Sequence, residues 1–206
     1  MARSEDTKGP EAIIAFAHNL FEPQERDNGK KQFGCSILYP KGTDINVLKQ
    51  AAVDAVVAEW GDKAKQWIKD EVIKSPFLDG DGKQAVSKKT GERHVGFAGH
   101  TFIRCISGED YKPKVFDRKR NMIVDKADVP SGSRGIPVVN AFTWENKENG
   151  KGISFGISML QITRKAEGDE ILGGGGGPDP DKFFEKIEDD GPVGDTGGKG
   201  AESLFG

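Results

Sequence analysis

The chain has 206 residues, a formal net charge of −3, 35% hydrophobic content and 28 glycines. That is enough for one domain with a real core plus an appendage, and too polar and glycine-rich for every segment to pack. No run of 18 apolar residues occurs, which excludes a membrane-spanning helix, and the apolar stretch 12–17 is too short for a secretory h-region.

Taken in chain order, EAIIAFAHNLF (11–21) and KQFGCSILY (31–39) read as strands, with Glu22-Pro23 and Asp27-Asn28-Gly29 as turns between them. Within the second, Phe33, Cys35, Ile37 and Tyr39 share one face by the period of two. A helix follows, capped by Thr43 or Asp44 and stopped by Gly61, with Ile45, Leu48, Ala52, Ala55, Val56 and Trp60 as its apolar stripe. A second helical piece is expected over 63–74, ended by Ser75-Pro76, and FLDGDGKQAVSKKTGE reads as a polar loop. Four more strands are expected at 95–107, 114–116, 136–144 and 152–164. Many short strands and one main helix point to a mainly β protein, a barrel or sandwich with an inserted helix.

After Leu172 the composition changes. GGGGGPDPD (173–181) reads as a linker, and the acidic remainder to 206 is expected to be disordered. The expected organisation is a flexible lead-in over 1–10, a folded domain over 11–172 and a linker with tail over 173–206. Residues 173–206 carry eight acids against three lysines, a net of −5, which leaves +2 for residues 1–172. Residues 83–134 hold twelve Lys and Arg against six Asp and Glu, a net of +6. The acidic average therefore hides a basic centre.

Chemistry-bearing motifs are sparse. The five glycines lack the Lys-Ser/Thr of a phosphate loop, and Asp79-Gly80-Asp81-Gly82 lacks the later ligands of a calcium loop. His18, His94 and His100 with Cys35 and Cys105 match no zinc spacing. Two widely separated cysteines fit a reducing, cytosolic setting in which thiols serve as small core hydrophobes. No cofactor, metal or enzymatic activity is expected.

The basic centre peaks at YKPKVFDRKR (111–120), where five cations surround two aromatics. Single-stranded nucleic acid asks for both residue types: cations release counterions from phosphates, and flat rings stack on unpaired bases. Tyr111 and Phe116, with Phe102 and Trp144 on flanking strands, are the candidate stacking residues. Lys112, Lys114, Arg118, Lys119, Arg120, Arg104 and Arg134 are the candidate phosphate contacts. Alternation places Lys114 and Phe116 on the binding face and Val115 on the core. In the tail, Glu188, Asp189, Asp190 and the hydrophobic tip Leu204 and Phe205 are the candidate partner-binding residues. Tethered by a flexible linker, such a polyanion competes weakly with nucleic acid for the same cations. Two other classes remain open on these residues: an RNA-binding or strand-annealing module, and a non-catalytic structural protein that binds protein partners.

The order of segments resembles phage-encoded single-stranded DNA-binding proteins with an OB-fold and acidic C-terminal tail. The likeness is carried by NLFEP, SILYPKGTD, EWGD, SPFLDGDG, GHTFIRCIS, KPKVFDRKRNMI and VVNAFTWENKENGKGISFGISMLQI, and it spans about 11–172. It implies an OB-fold-like antiparallel barrel and sequence-independent binding of single-stranded DNA in replication or recombination in the infected host cell. From the residues themselves, protein partners are expected through the tail and no membrane association is expected, while a homo-oligomer stays open. The family's hallmark segment falls on 112–123. Related tails commonly end on the aromatic itself, whereas Gly206 follows Phe205 here.

Overall fold

Apolar side chains that alternate over ten or more residues need a second sheet or a closed one to cover them, and this chain closes its sheet. A computed structural model describes residues 1–25 and 29–173. Its elements are β1 (Thr7–Lys8), β2 (Ala12–Ala15), β3 (Gln24–Glu25), β4 (Lys31–Pro40), α1 (Asn46–Trp60), α2 (Ala64–Lys69), β5 (Ile73–Lys74), β6 (Leu78–Asp79), β7 (His100–Gly108), β8 (Lys114–Phe116), β9 (Arg134–Asn146) and β10 (Gly150–Arg164).

Five of these strands form a ring. β2 pairs β4, β4 pairs β7, β7 pairs β10, β10 pairs β9, and β9 returns to β2. Four seams are antiparallel, and the β7–β10 seam is parallel, with Phe155 opposite Cys105 and Gly156 opposite Ile106. This is the five-stranded Greek-key barrel of an OB-fold. β9 and β10 form a long hairpin whose inward positions, Val139, Ala141, Ile153, Phe155 and Ile157, fill the barrel with Ile14, Ile37 and Ile103.

α1 lies between the second and third barrel strands in sequence and buries Leu48, Ala51, Ala52, Ala55 and Val56. Small alanines let its backbone approach the barrel closely, and the fully buried Leu48 contributes about 1.5–3 kcal/mol by transfer from water. Asp44 Oδ1 accepts from the Asn46 N–H at 2.9 Å at its start. Gly61, at φ 75°, ends it and donates its N–H to Val57 O at 2.8 Å.

Several expectations are corrected. The strand expected over 11–21 stops at Ala15, because Phe16 takes the left-handed conformation (φ 57°) and a 3-10 turn follows at Ala17–Leu20. The helix expected over 63–74 is shorter, Ala64–Lys69, and Ile73–Lys74 instead joins the sheet beside β10. The strand expected from 95 begins at His100, after two successive turns closed by the Phe97 N–H to His94 O and the His100 N–H to Phe97 O. The loop 77–92 is more than polar connection, since Leu78–Asp79 pairs β7 and Ala85 is buried.

The flexible lead-in expected over 1–10 is also corrected, because β9 extends past β2 and leaves an open edge. Residues 2–9 pair along that edge: Thr143 N–H donates to Ala2 O at 3.0 Å, Ser4 N–H to Ala141 O at 2.8 Å, and Gly9 N–H to Pro137 O at 2.9 Å. The expected linker and tail, including Glu188, Asp189, Asp190, Leu204 and Phe205, lie outside the described residues apart from Gly173. Among the described residues no helix is long and apolar enough to cross a membrane.

Candidate nucleic-acid interface

The segment 111–123 is a small hairpin laid against the barrel. Tyr111 N–H donates to Gly108 O at 3.0 Å, Pro113 is buried, and β8 then runs parallel to β10. Lys114 pairs Met159, Val115 pairs Leu160 and Phe116 pairs Gln161. Val115 is 2% exposed within the barrel core, Lys114 is exposed and Phe116 is half-buried. Alternation thus separates the faces as the sequence predicts.

The turn after β8 is built on one carboxylate. Asp117 Oδ1 accepts from the Lys119 and Asn121 N–H groups, both at 2.8 Å, and Oδ2 accepts from Asn121 Nδ2 at 2.8 Å. These bonds from Asn121, with the nearby Lys119, hold the Asp117 carboxyl below the usual aspartate value of 3.8. Arg120 completes the turn at φ 66°, and Arg118, Lys119 and Arg120 project into solvent. Among the described residues none of the three, nor Lys114, enters an ion pair.

A floor for this basic edge comes from the outer face of the β9–β10 hairpin. Ile136, Val138, Phe142 and Trp144 point outward and are half-buried, and the residues opposite the last two are Ser154 and Gly152. The glycine opposite lets the indole lie flat against the sheet. Trp144 lies over Gly152, its Nε1 donates to Ser154 Oγ at 3.0 Å, and Lys74 Nζ stands 5.9 Å from its ring centroid. Phe142 carries the Arg3 guanidinium at 5.6 Å. From Val138 to Trp144 this row runs about 20 Å at ~3.4 Å per residue.

Two open grooves meet along the row. One, of about 870 Å³, is walled by Tyr111, Lys112, Lys114 and Arg3 over Ile106, Phe142 and Gly156. The other, of about 780 Å³, is lined by Lys74, Phe77, Arg104, Trp144 and Ser154. They adjoin where Phe142 of the first pairs with Ser154 of the second. The first groove sets Arg3, Lys112 and Lys114 against Asp110, and the second sets Lys74 and Arg104 against Glu71 and the Lys41-paired Asp79. A basic rim over an apolar, aromatic floor suits a flexible polyanion with flat bases.

A family model described as Enterobacter phage Enc34, ssDNA-binding protein, matches residues 12–193. The chain belongs to this family. Among solved structures, the single-stranded DNA-binding protein from bacteriophage Enc34 in complex with ssDNA is 17% identical, covering 79% of this chain and 88% of that one, with a TM-score of 0.51. The C-terminal truncation of the same phage protein gives 18%, 78%, 86% and 0.50. The gp2.5 single-stranded DNA binding protein encoded by bacteriophage T7 is 11% identical over 93% of this chain and 99% of that one, with a TM-score of 0.53. At such identities these likenesses concern the fold. No curated protein sequence matches the chain.

Within this Enc34-type barrel the residues expected at the interface fall into separate groups. Tyr111, 76% exposed, shares the larger groove with Lys112 and Lys114, and Lys112 Nζ also stands 5.9 Å from the Phe21 ring. Trp144 and Arg104 share the second groove, where an Arg104 N–H donates to Gln84 O at 2.7 Å. Phe116 and Arg120 line a smaller depression of about 350 Å³ that meets the first groove at Met159. Arg118 lies on the far side of the hairpin, and Arg134 begins the outward row of β9 at its opposite end.

Phe102 is a correction. It is 0% exposed, packed edge-to-face on Phe97 at 4.9 Å, with the Arg104 guanidinium 5.8 Å from its ring. Period two puts it on the outside of the barrel wall, but Leu78, Ala85 and Phe97 of the 78–97 excursion cover it. It has no free face for a base. Conversely, Phe142, Arg3 and Lys74 line these grooves and are not among the sequence candidates. Phe142 shares the outward period with Trp144, so that alternation could have found it; Arg3 and Lys74 depend on pairings no local pattern shows.

Proposed function

We propose that this chain is a sequence-independent single-stranded DNA-binding protein that coats and protects ssDNA during phage replication or recombination. It acts without catalysis, in the cytoplasm of the infected host cell. The observation that carries the reading is the pair of adjoining grooves, rimmed by Lys112, Lys114, Lys74 and Arg104 and floored by Phe142 and Trp144. Family membership over residues 12–193 supports it. In this reading Tyr111, Phe142, Trp144 and Phe116 offer faces to bases, and Arg118, Lys119, Arg120 and Arg134 lie where the strand enters or leaves. Residues 173–206 act as linker and acidic tail, with Glu188, Asp189, Asp190, Leu204 and Phe205 recruiting replication partners and competing with DNA.

Fluorescence titration with oligo-dT tests this, using Trp60, Trp67 and Trp144 as intrinsic probes. Four neutralised phosphates give a log–log salt slope of about −3, from about −0.7 per phosphate on a single strand. Salt-insensitive binding, or preference for duplex over oligo-dT, overturns the proposal. An oligo-U competitor in the same titration separates DNA from RNA as the preferred strand.

A further inference from the structure

We propose that the N-terminal strand, residues 2–8, forms a second bank of the ssDNA groove, with Arg3 and Lys8 contacting phosphates opposite Lys112 and Lys114. The inference rests on the ssDNA-binding reading above and assigns that site a wall from a segment remote in sequence.

Register carries it. Lys8 pairs Val138 of β9, Val138 pairs Met159 of β10, and Met159 pairs Lys114 of β8. Directly paired residues point to the same face of a sheet, so Lys8, Val138, Met159 and Lys114 form one row across four strands. Lys8, Met159 and Lys114 are exposed and Val138 is half-buried. Three interstrand spacings of ~4.8 Å put the two lysines at opposite ends of an apolar floor about 14 Å wide. The bulge between Ile157 and Met159 turns the methionine outward into this row.

The same arrangement recurs further along. An isolated bridge joins Arg3 to Phe142, the Arg3 guanidinium stands over the Phe142 ring, and Tyr111, Lys112 and Lys114 line the same groove. In the smaller depression Lys8 and Arg120 share a floor of Ile136, Val138 and Met159. Each depression thus has one cation from the N-terminal strand and at least one from 112–120.

Neither Arg3 nor Lys8 enters an ion pair among the described residues. Asp6 lies between them, but its Oδ1 accepts from Asn140 Nδ2 and Ser158 Oγ, both at 2.8 Å, which holds the carboxylate down on the floor. Asp110 lines the opposite side of the larger groove. Phosphate is therefore expected at Arg3 and Lys8, on either side of Asp6. The strand's anchorage does not depend on the two cations, since its sheet bonds are made by backbone groups and by Ser4, Asp6 and Thr143.

The test compares the full chain with the double variant Arg3→Ala/Lys8→Ala in oligo-dT titrations between about 50 and 200 mM salt. Losing two phosphate contacts makes the log–log slope shallower by about 1.4, from about 0.7 per contact on a single strand. The charge-keeping Arg3→Lys/Lys8→Arg should retain the parent slope, as should Lys49→Ala/Lys69→Ala on the exposed faces of the two helices. A double alanine variant with the parent slope overturns the inference while leaving ssDNA binding intact. A parent chain that does not bind oligo-dT overturns the underlying reading instead. Lysine acetylation of the unaltered protein gives an independent readout: oligo-dT should shield Lys8 as it shields Lys114 and leave Lys49 reactive. Equal modification of Lys8 with and without DNA refutes the second bank.

Discussion

Gly152→Ala tests how the groove presents its largest ring. A Cβ at position 152 would lie 2.1 Å from Trp144 Cζ2, 2.5 Å from Cε2 and 2.8 Å from Cη2. Carbon pairs settle near ~3.5–4.0 Å, so the indole must lift by more than about 1 Å. Lifting stretches the 3.0 Å bond from Trp144 Nε1 to Ser154 Oγ beyond reach, at a net cost of ~0.5–1.5 kcal/mol. With the overpacking itself, the variant should lose about 2 kcal/mol of stability. For a domain of this size that lowers Tm by roughly 4–8 °C, readable by differential scanning fluorimetry. Stacking on one ring is worth ~1–3 kcal/mol per base. Displacing the ring from its seat should therefore weaken oligo-dT binding by about 5-fold or more. Anisotropy titration with labelled oligo-dT measures this, and Trp144→Leu should reproduce the affinity loss. A Gly152→Ala protein with parent Tm and parent affinity refutes the seating of Trp144 as the basis of the groove.

The other predictions concern the 111–123 hairpin. Lys114→Ala should leave Tm unchanged and make the salt slope shallower by about 0.7. Val115→Ala should do the reverse, lowering stability by about 2 kcal/mol through lost burial and a cavity while leaving the slope alone. A shared phenotype would contradict the division of faces. Asp117 has a folded pKa below its unfolded value, so its contribution is complete above about 3.8 and is lost only as pH falls through the lower folded value. Carboxyl NMR titration should place its midpoint below 3.8. Protection of the Lys119 and Asn121 amides should persist until the same acidic range, and Asp117→Ala should abolish it at neutral pH.

Local patterns made much of this protein legible. The period of two sorted Lys114, Val115 and Phe116 correctly, because a strand paired to a barrel exposes alternate residues whatever its partner is. Gly61 bounded α1 because a C-terminal cap acts within one turn of the chain, whereas Ile45 stands at the N-cap position and Asp44, one residue earlier, reaches only the Asn46 N–H. The same period agrees with the outward face of Phe102 but not with an exposed one. It assigns a residue to one of two faces, and says nothing of whether a remote segment such as 78–97 will cover that face. The order of residues 1–10 escapes local patterns for a related reason. Residues 1–10 are polar and glycine- and proline-bounded, and their order comes from the free edge of β9, more than 120 residues away.

By itself the sequence determined the ingredients: a basic centre, an acidic tail set apart by glycines, strands with an inward and outward period at β8 and β9, and one helix stopped by a glycine. Charge, period and caps are properties of neighbouring residues, so they survive without knowledge of the fold. Only the tertiary structure decided which cations share a groove. Closing the barrel fixed the register of β1, β9, β10 and β8, and that register put Lys8, Val138, Met159 and Lys114 in one row. Pairings between distant strands depend on the whole barrel closing at once, which no short window of sequence encodes.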